Sequence, residues 1–156
     1  MVTTKAATLG AYPRSVWLHD GREVLLRPMQ PANHTVLHEF FQRVPNSERY
    51  YLKEDVTDKE VIRRWAREID QDRVFPLLAW DEDKIVADAT LHRTRAGARR
   101  HVGEIRIVVD PKHRSRGLGT LMLHELLNVA RATNPERVLL ELVADREETA
   151  MRAAAN

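Results

Sequence analysis

Apolar residues along this chain recur at two spacings, one typical of strands and the other of helices. Short alternating or continuous apolar runs predict six strands, which span 15–18, 22–29, 73–80, 85–91, 101–110 and 137–145. Helical spacing predicts three helices, with faces formed by Val36, Leu37, Phe40, Phe41 and Val44, by Val61, Ile62, Trp65 and Ile69, and by Leu118, Leu121, Met122, Leu126 and Val129. A fourth helix is predicted within 146–156. The order β-β-α-α-β-β-β-α-β-α predicts an α/β or α+β domain.

Turn and cap residues set the limits of these elements. Asp20-Gly21 suits a hairpin turn between the first two strands, and Thr57 with Glu60 predicts a capping box at the second helix. Residues 1–14 are small, polar and aperiodic, so we expect a flexible N-terminal tail there. Residues 15–156 are expected to form one domain, without internal repeats or linkers.

The composition narrows the class of protein. With 25 Lys and Arg against 23 Asp and Glu, the chain lacks the one-sided positive charge of most nucleic-acid-binding proteins. The absence of cysteine excludes disulfides, thiolate catalysis and zinc–sulfur sites within these residues. The N-terminus lacks the pattern of a secretion signal, and no apolar run approaches the roughly 20 residues of a membrane helix. We therefore expect a cytoplasmic protein that binds neither nucleic acid nor membrane.

The stretch VVDPKHRSRGLGTLML joins a predicted strand to the third predicted helix. A glycine-bearing loop that leads into a helix directs free backbone N–H groups to one point, and the helix dipole makes this point suitable for phosphate. Gly117 and Gly119 permit close approach to the backbone, while Arg114 and Arg116 offer charge-assisted hydrogen bonds. The stretch lacks the Gly-Lys-Ser/Thr of a P-loop and the third glycine of a dinucleotide-binding fingerprint.

What remains is the pattern Arg-x-x-Gly-x-Gly directly after an apolar strand and Asp110-Pro111. This pattern resembles the acetyl-CoA motif of the GNAT N-acetyltransferase superfamily, [Q/R]-x-x-G-x-[G/A] after a V-V-x-P strand end. The order of elements from about residue 23 onward also resembles the fold of that family, a mixed and mostly antiparallel sheet flanked by helices. The ordinary alternative is a β–α turn with solvated arginines.

The resemblance implies acetyl-CoA as the acyl donor, with no metal. In the family, the loop N–H groups hold the donor pyrophosphate, and the preceding strand splays from the next one to pair with the pantetheine amides. This implies that Val108 and Val109 lie on the pantetheine side and that 137–145 is the splayed partner strand. The residues implied at the pyrophosphate are Arg114, Ser115, Arg116, Gly117, Leu118, Gly119 and Thr120.

Acetylation of an amine needs a free lone pair, so a carboxylate beside the thioester can act as general base. Glu104 lies ten residues before Arg114, and its position resembles that of the catalytic glutamate in many family members that acetylate lysine. The alternative is a solvent-facing glutamate, or one paired with Arg106 or Arg137. We expect direct attack in a ternary complex, because neither a cysteine nor an evident Ser–His pair offers a covalent intermediate.

A second resemblance concerns the acceptor. The stretch from Leu18 to Leu52 resembles the start of the GNAT domains in bacterial protein lysine acetyltransferases, where D-G-x-x-V-x-L-R-P and F-F-x-x-[LV]-x-x-x-S-x-R-Y recur. The matching positions are Arg27, Ser47, Arg49 and Tyr50. The implied acceptor is a primary amine, on a small molecule or a protein lysine. The connector at 44–56 is a candidate rim for that amine, although packing is the simpler role for Tyr50 and Tyr51.

Two other groups of residues suggest different chemistry. His34 and His38 lie four residues apart, a spacing that suits a metal, but no further ligand is evidently placed to join them. The basic turn RTRAGARRH at 93–101 carries charge that could touch nucleic acid, and a solvated hairpin tip is the simpler interpretation. We therefore expect neither a metal nor a nucleic-acid partner.

Two features depart from the family pattern. The family usually continues past the last helix into two more strands, whereas this sequence ends at Asn156, so we expect a truncated domain or a homodimer that covers the exposed strand edge. Many members also place a tyrosine general acid on the last helix. Here that region reads MRAAAN, and Glu147 or Glu148 stands in place of a family asparagine. The acid is therefore unassigned, and a non-catalytic acyl-CoA-binding or regulatory module is the alternative to an enzyme.

Overall fold

The computed structural model describes residues 12–45, 56–68, 74–93, 102–133 and 137–142. The elements along the chain are β1 (Arg14–Trp17), β2 (Glu23–Pro28), α1 (His34–Arg43), α2 (Lys59–Arg67), β3 (Val74–Asp81), β4 (Lys84–Arg93), β5 (Val102–Val109), α3 (Leu118–Thr133) and β6 (Arg137–Leu142). Single 3-10 turns at Pro31–Asn33 and Pro111–His113 precede α1 and the loop into α3. The predicted order is confirmed as far as β6, and the helix predicted within 146–156 lies outside the described residues.

The six strands form one sheet in the order of the chain, from β1 to β6. The four pairs from β1–β2 to β4–β5 are antiparallel, and β6 runs parallel to β5. A parallel neighbour requires a crossover connection, and α3 provides it. This confirms the expected fold class, a mixed and mostly antiparallel sheet flanked by helices.

Helix α3 covers one face of the sheet. Alternation along β5 directs Ile105, Ile107 and Val109 to this face, where they pack with Leu118 and Met122 of α3. Burial of each such side chain contributes about 1.5–3 kcal/mol. The α3 face therefore fixes the start of α3 against the end of β5.

Helices α1 and α2 cover the opposite face, which is only partly apolar. Phe40 and Phe41 of α1 and Ile62 of α2 pack with Leu78 and Val108 of the sheet. Polar residues of β4 and β5 lie on this same face, because directly opposed residues of an antiparallel pair share a face. They are Asp88, Thr90, His92, Glu104 and Arg106.

The start of α2 differs from its prediction in one residue. Asp58, and not Thr57, is the N-cap, and its carboxylate accepts a hydrogen bond from the Glu60 N–H at 2.9 Å. A carboxylate at this position satisfies a free N–H group and favours the helix dipole. The predicted hairpin at Asp20-Gly21 is confirmed, since Gly21 has φ +85° between β1 and β2.

Candidate active site

The predicted glycine turn lies where β5 leaves the sheet and α3 begins. Asp110 follows the last residue of β5, and its carboxylate accepts a hydrogen bond from the Lys112 N–H at 2.9 Å. Ser115 and Gly117 both have a positive φ, +63° and +87°, which reverses the chain just before Leu118. The residues implied at the pyrophosphate, from Arg114 to Thr120, thus belong to one loop and the first turn of one helix.

The start of α3 directs backbone N–H groups out of the loop. The Leu121 N–H donates to the Gly117 carbonyl at 3.0 Å, so the N–H groups of Leu118, Gly119 and Thr120 precede the first helical hydrogen bond. Such N–H groups, together with the helix dipole, attract anions. The loop therefore has the chemistry that a phosphate group requires.

Gly117 meets two constraints that exclude a side chain. Its φ of +87° strains any residue with a Cβ atom, and the His19 ring lies 2.6 Å from the position that this Cβ would take. The His19 N–H also donates to the Arg116 carbonyl at 2.9 Å. The turn between β1 and β2 therefore packs directly on the loop, a contact that the sequence did not indicate.

The arginines of the loop take part in its own scaffold. Arg116 forms an ion pair with Asp20 at 2.8 Å and donates to the Lys112 carbonyl. Arg114 donates from Nε to the carbonyl of Val109, the last residue of β5, at 3.1 Å. Contacts from either arginine to phosphate stay a prediction, and for Arg116 the observed role is to tie the loop to the β1–β2 turn.

An ion pair beneath the loop connects it to α1. Arg43, at the end of α1, donates from Nε to Asp110 at 2.8 Å and from Nη2 to the Ile85 carbonyl at 2.5 Å. Burial by itself would raise the pKa of Asp110, but the hydrogen bonds from Arg43 and Lys112, with the nearby positive charges, hold this pKa below its usual value. Asp110 is therefore an ionised carboxylate held by α1.

His113 adds a third attachment. Its ring is buried, and Nε2 lies 3.1 Å from Arg22 Nη1 and 3.3 Å from Asp81 Oδ2. Arg22 precedes β2 and Asp81 ends β3, so both neighbouring hairpins contact the loop. The loop is thus held by α1 and by two hairpins before any ligand binds.

The described pairing of β5 with β6 reaches Ile107, which lies opposite Leu142, the last described residue of β6. The pairing of β5 with β6 runs from Val102 to Ile107, whereas the pairing of β5 with β4 continues to Val109. In the described part of the chain, Val108 and Val109 therefore have β4 as their only strand neighbour. Of the predicted partner strand, only 137–142 is described.

Glu104 lies on the α1/α2 face and is paired with Arg106. Its Oε1 accepts hydrogen bonds from Arg106 Nε at 2.9 Å and Nη2 at 2.6 Å, and both side chains are largely buried. This is one of the pairings that the sequence left open as an alternative to catalysis. The assignment of Glu104 as base stays a prediction.

Asp88 is a buried acid on β4 that the sequence analysis did not identify. Its side chain is 8% exposed and accepts a hydrogen bond from the Thr90 hydroxyl at 2.8 Å. Burial raises the pKa of Asp88 to about 6, and the bond from Thr90 offsets this only in part. The available signal was an aspartate inside the apolar run IVADATL.

The remaining candidates from the sequence either make structural contacts or lie outside the described residues. Nε2 of His38 lies 2.7 Å from the Thr57 carbonyl, so this ring connects α1 to the start of α2. Within the described ranges, no group of three His, Asp or Glu side chains could hold a metal. The helices of that same part of the chain are not long and apolar enough to cross a membrane. Ser47, Arg49, Tyr50, Tyr51 and the tip of the basic turn at 94–101 lie outside it.

Comparison with known proteins identifies the family. A model described as the acetyltransferase (GNAT) family matches residues 34–155, most of the chain. The chain belongs to the GNAT acetyltransferase family. The family transfers acyl groups and in general uses acetyl-CoA as donor. No curated protein matches the chain.

Solved structures of acetyltransferases share the fold at low sequence identity. The GNAT domain of S. lividans PAT has a TM-score of 0.67 and 22% identity, over 76% of this chain and 72% of that one. A GNAT acetyltransferase from Streptococcus pneumoniae has a TM-score of 0.61 and 23% identity, over 85% and 81%. An aminoglycoside acetyltransferase from an uncultured soil metagenomic sample has a TM-score of 0.57 and 15% identity, over 85% and 84%.

The ion pair beneath the loop is expected to stabilise the fold. Asp110→Asn removes the charged partner of Arg43, and we expect it to lower the free energy of unfolding at pH 7 by about 1–3 kcal/mol. Urea denaturation measures this loss. The exposed Asp83→Asn, in the β3–β4 turn, is the control and should change stability by less than about 0.5 kcal/mol. Equal stability of the two variants would contradict the role given to the pair.

Asp88 is expected to make the folded state less stable as the pH rises. Its folded pKa of about 6 lies above the unfolded value of 3.8, so the folded state binds this proton more tightly. Below pH 3.8, Asp88 is protonated in both the folded and the unfolded state, and its contribution to stability is present in full. As the pH rises through about 6, the unfolded state loses this proton first, and that contribution is lost. Relative to the wild type, Asp88→Asn should therefore gain about 1–3 kcal/mol between pH 4 and pH 7.5. Urea denaturation at both pH values tests this, and a pH-independent difference would refute it.

Proposed function

We propose that this chain is an acetyl-CoA-dependent N-acetyltransferase that transfers an acetyl group to a primary amine by direct attack in a ternary complex. The observation that carries the proposal is the loop from Arg114 to Gly117, which follows the end of β5 and leads into the first turn of α3. Phosphate chemistry at the helix start and backbone pairing at the strand edge suit the two ends of a coenzyme A thioester. The family membership supports the same donor.

The donor is proposed to lie along the end of β5. The N–H groups of Leu118, Gly119 and Thr120, with those of the loop, bind the pyrophosphate, and the backbone of Val108 and Val109 pairs with the pantetheine amides. Gly117 has no Cβ atom, and the His19 ring lies against the position that this atom would take, so the loop keeps its conformation only with glycine there. Arg116 contributes positive potential while Asp20 holds it in place.

Glu104 is proposed as the general base. It accepts the proton that the amine loses as the nitrogen bonds to the carbonyl carbon of the thioester. The two hydrogen bonds from Arg106 to Oε1 fix the orientation of the carboxylate. A positioned base of this kind contributes about 10²–10⁴-fold to the rate.

The acceptor is proposed to be a primary amine, with protein lysine as the first class to test. The residues that resemble the lysine acetyltransferase motifs support this choice, and PAT of S. lividans and an aminoglycoside acetyltransferase are among the structures with the same fold. A cytoplasmic location and a homodimer are part of the proposal. The Glu104–Arg106 ion pair also suits a structural glutamate, which favours a non-catalytic acyl-CoA-binding module as the second candidate.

Two glycine variants test the donor site. Gly117→Ala places a Cβ against His19 and strains the backbone, so we expect it to weaken acetyl-CoA binding at least about tenfold, or about 1.4 kcal/mol. Gly21→Ala introduces a similar positive-φ strain in open space, about 1–2 kcal/mol, and should leave the affinity unchanged. Isothermal titration calorimetry measures both. No binding of acetyl-CoA to the wild type, or equal affinity of the two variants, would contradict the site.

Glu104→Gln tests the base. We expect kcat for amine acetylation to fall about 100-fold or more because the amide cannot accept the proton, while the Kd for acetyl-CoA stays unchanged. The exposed Glu39→Gln on α1 is the matched control and should keep wild-type kcat. Unchanged turnover in Glu104→Gln would remove this residue from the mechanism. Donor binding without turnover in the wild type, across lysine peptides and small amines, would favour the binding module.

A further inference from the structure

The turn between β1 and β2 reaches the loop before α3 through its backbone. The Gly21 N–H donates to the Leu18 carbonyl at 2.9 Å, and neither of the two residues between them has a positive φ. This is a type I turn with His19 at its second position. The His19 N–H donates to the Arg116 carbonyl at 2.9 Å. Since the match to the family model begins at residue 34, this bond joins the loop to a hairpin outside the matched segment.

The Arg116 carbonyl and the Gly117 N–H belong to the same peptide unit. This unit is trans, so its C=O and N–H bonds lie in one plane and point in opposite directions. Because the carbonyl is directed at His19, the Gly117 N–H is directed away from the β1–β2 turn. In the described ranges, no group accepts a hydrogen bond from this N–H. It is therefore available to an anion, next to the free N–H groups at the start of α3.

The orientation of this peptide unit decides whether it attracts or repels an anion. Glycine takes positive and negative φ with similar ease, so a peptide unit that precedes glycine turns over readily when nothing holds it. A reversed unit would present the carbonyl oxygen of Arg116 in place of the N–H, and this oxygen would repel phosphate. The ion pair of Arg116 with Asp20 holds the side chain and leaves the peptide free to turn. The bond from His19 is therefore the described contact that fixes the orientation.

We propose that His19 is a positioning residue of the donor site, whose backbone N–H keeps the Gly117 N–H directed at the donor pyrophosphate. The inference rests on the donor site of the proposed function. His19 acts through the Arg116–Gly117 peptide and needs no contact with the donor itself. An N–H group that is held in place before binding attracts the anion without a further cost in entropy. Since the role belongs to the backbone, every residue except proline can fill it.

His19→Pro and His19→Ala in the full chain test the inference. Both variants lack the imidazole ring, but only the proline lacks the N–H. Proline is favoured at the second position of a type I turn, so the turn itself should be kept. Isothermal titration calorimetry should show that His19→Pro binds acetyl-CoA at least about tenfold more weakly than His19→Ala. The thermal midpoints of the two variants should agree within about 3 °C.

The Gly117 amide gives a readout that a merely structural role of the turn would not change. In NMR spectra of the wild type and of His19→Ala, coenzyme A should shift this amide in a saturable way. The shift should be lost in His19→Pro.

The outcomes separate this inference from the proposed function. A wild type that does not bind acetyl-CoA contradicts the donor site itself. A wild type that binds, with equal affinity of the two variants, overturns only the role of His19. Weaker binding by His19→Pro with a thermal midpoint more than about 3 °C below that of His19→Ala also overturns it. If His19→Pro does not fold, the wild-type spectrum decides, and a Gly117 amide that stays in place while those of Leu118 and Gly119 shift overturns the inference.

Discussion

The ion pair between Arg43 and Asp110 is the interaction on which the rest of the site depends. Asp110 is the point where β5 becomes the loop, and Arg43 holds it to both α1 and the Ile85 carbonyl of β4. Backbone N–H groups bind an anion well only when they are held in place before it arrives, since ordering them on binding would cost entropy. The contacts of His113 with Arg22 and of Arg116 with Asp20 extend this restraint over the whole loop.

The two faces of β5 carry residues with different proposed roles. Ile105 and Ile107 point to the α3 face and anchor the helix whose first turn is proposed to hold the donor. Glu104 and Arg106 point to the α1/α2 face, beside Asp88 and Thr90 of β4. Alternation along one strand thus places the helix of the proposed phosphate site and the proposed base on opposite sides of the sheet.

Local patterns predicted the fold and the loop. The apolar spacing predicted the six strands and three helices because their buried positions recur with a strand or helix period or form a continuous run, as in β3. The glycines at 117 and 119 marked the turn, and Gly117 has the positive φ that favours glycine. The contacts of Arg43 and Asp20 were not predictable, because they join charges that lie far apart in the chain. Asp88 was missed for a related reason. Its burial follows from the cover of α1 and α2, and the one sign of it in the sequence is that the aspartate lies inside the apolar run IVADATL.

The central claim is that the end of β5 and the first turn of α3 together bind the acyl donor. Backbone amide chemical shifts, followed by NMR as coenzyme A is added, test it most directly because they report on each N–H group separately. The account predicts the largest and saturable shifts at Leu118, Gly119 and Thr120 and at Val108 and Val109, with small shifts on β1. Shifts confined to other parts of the molecule, or none at all, would contradict it.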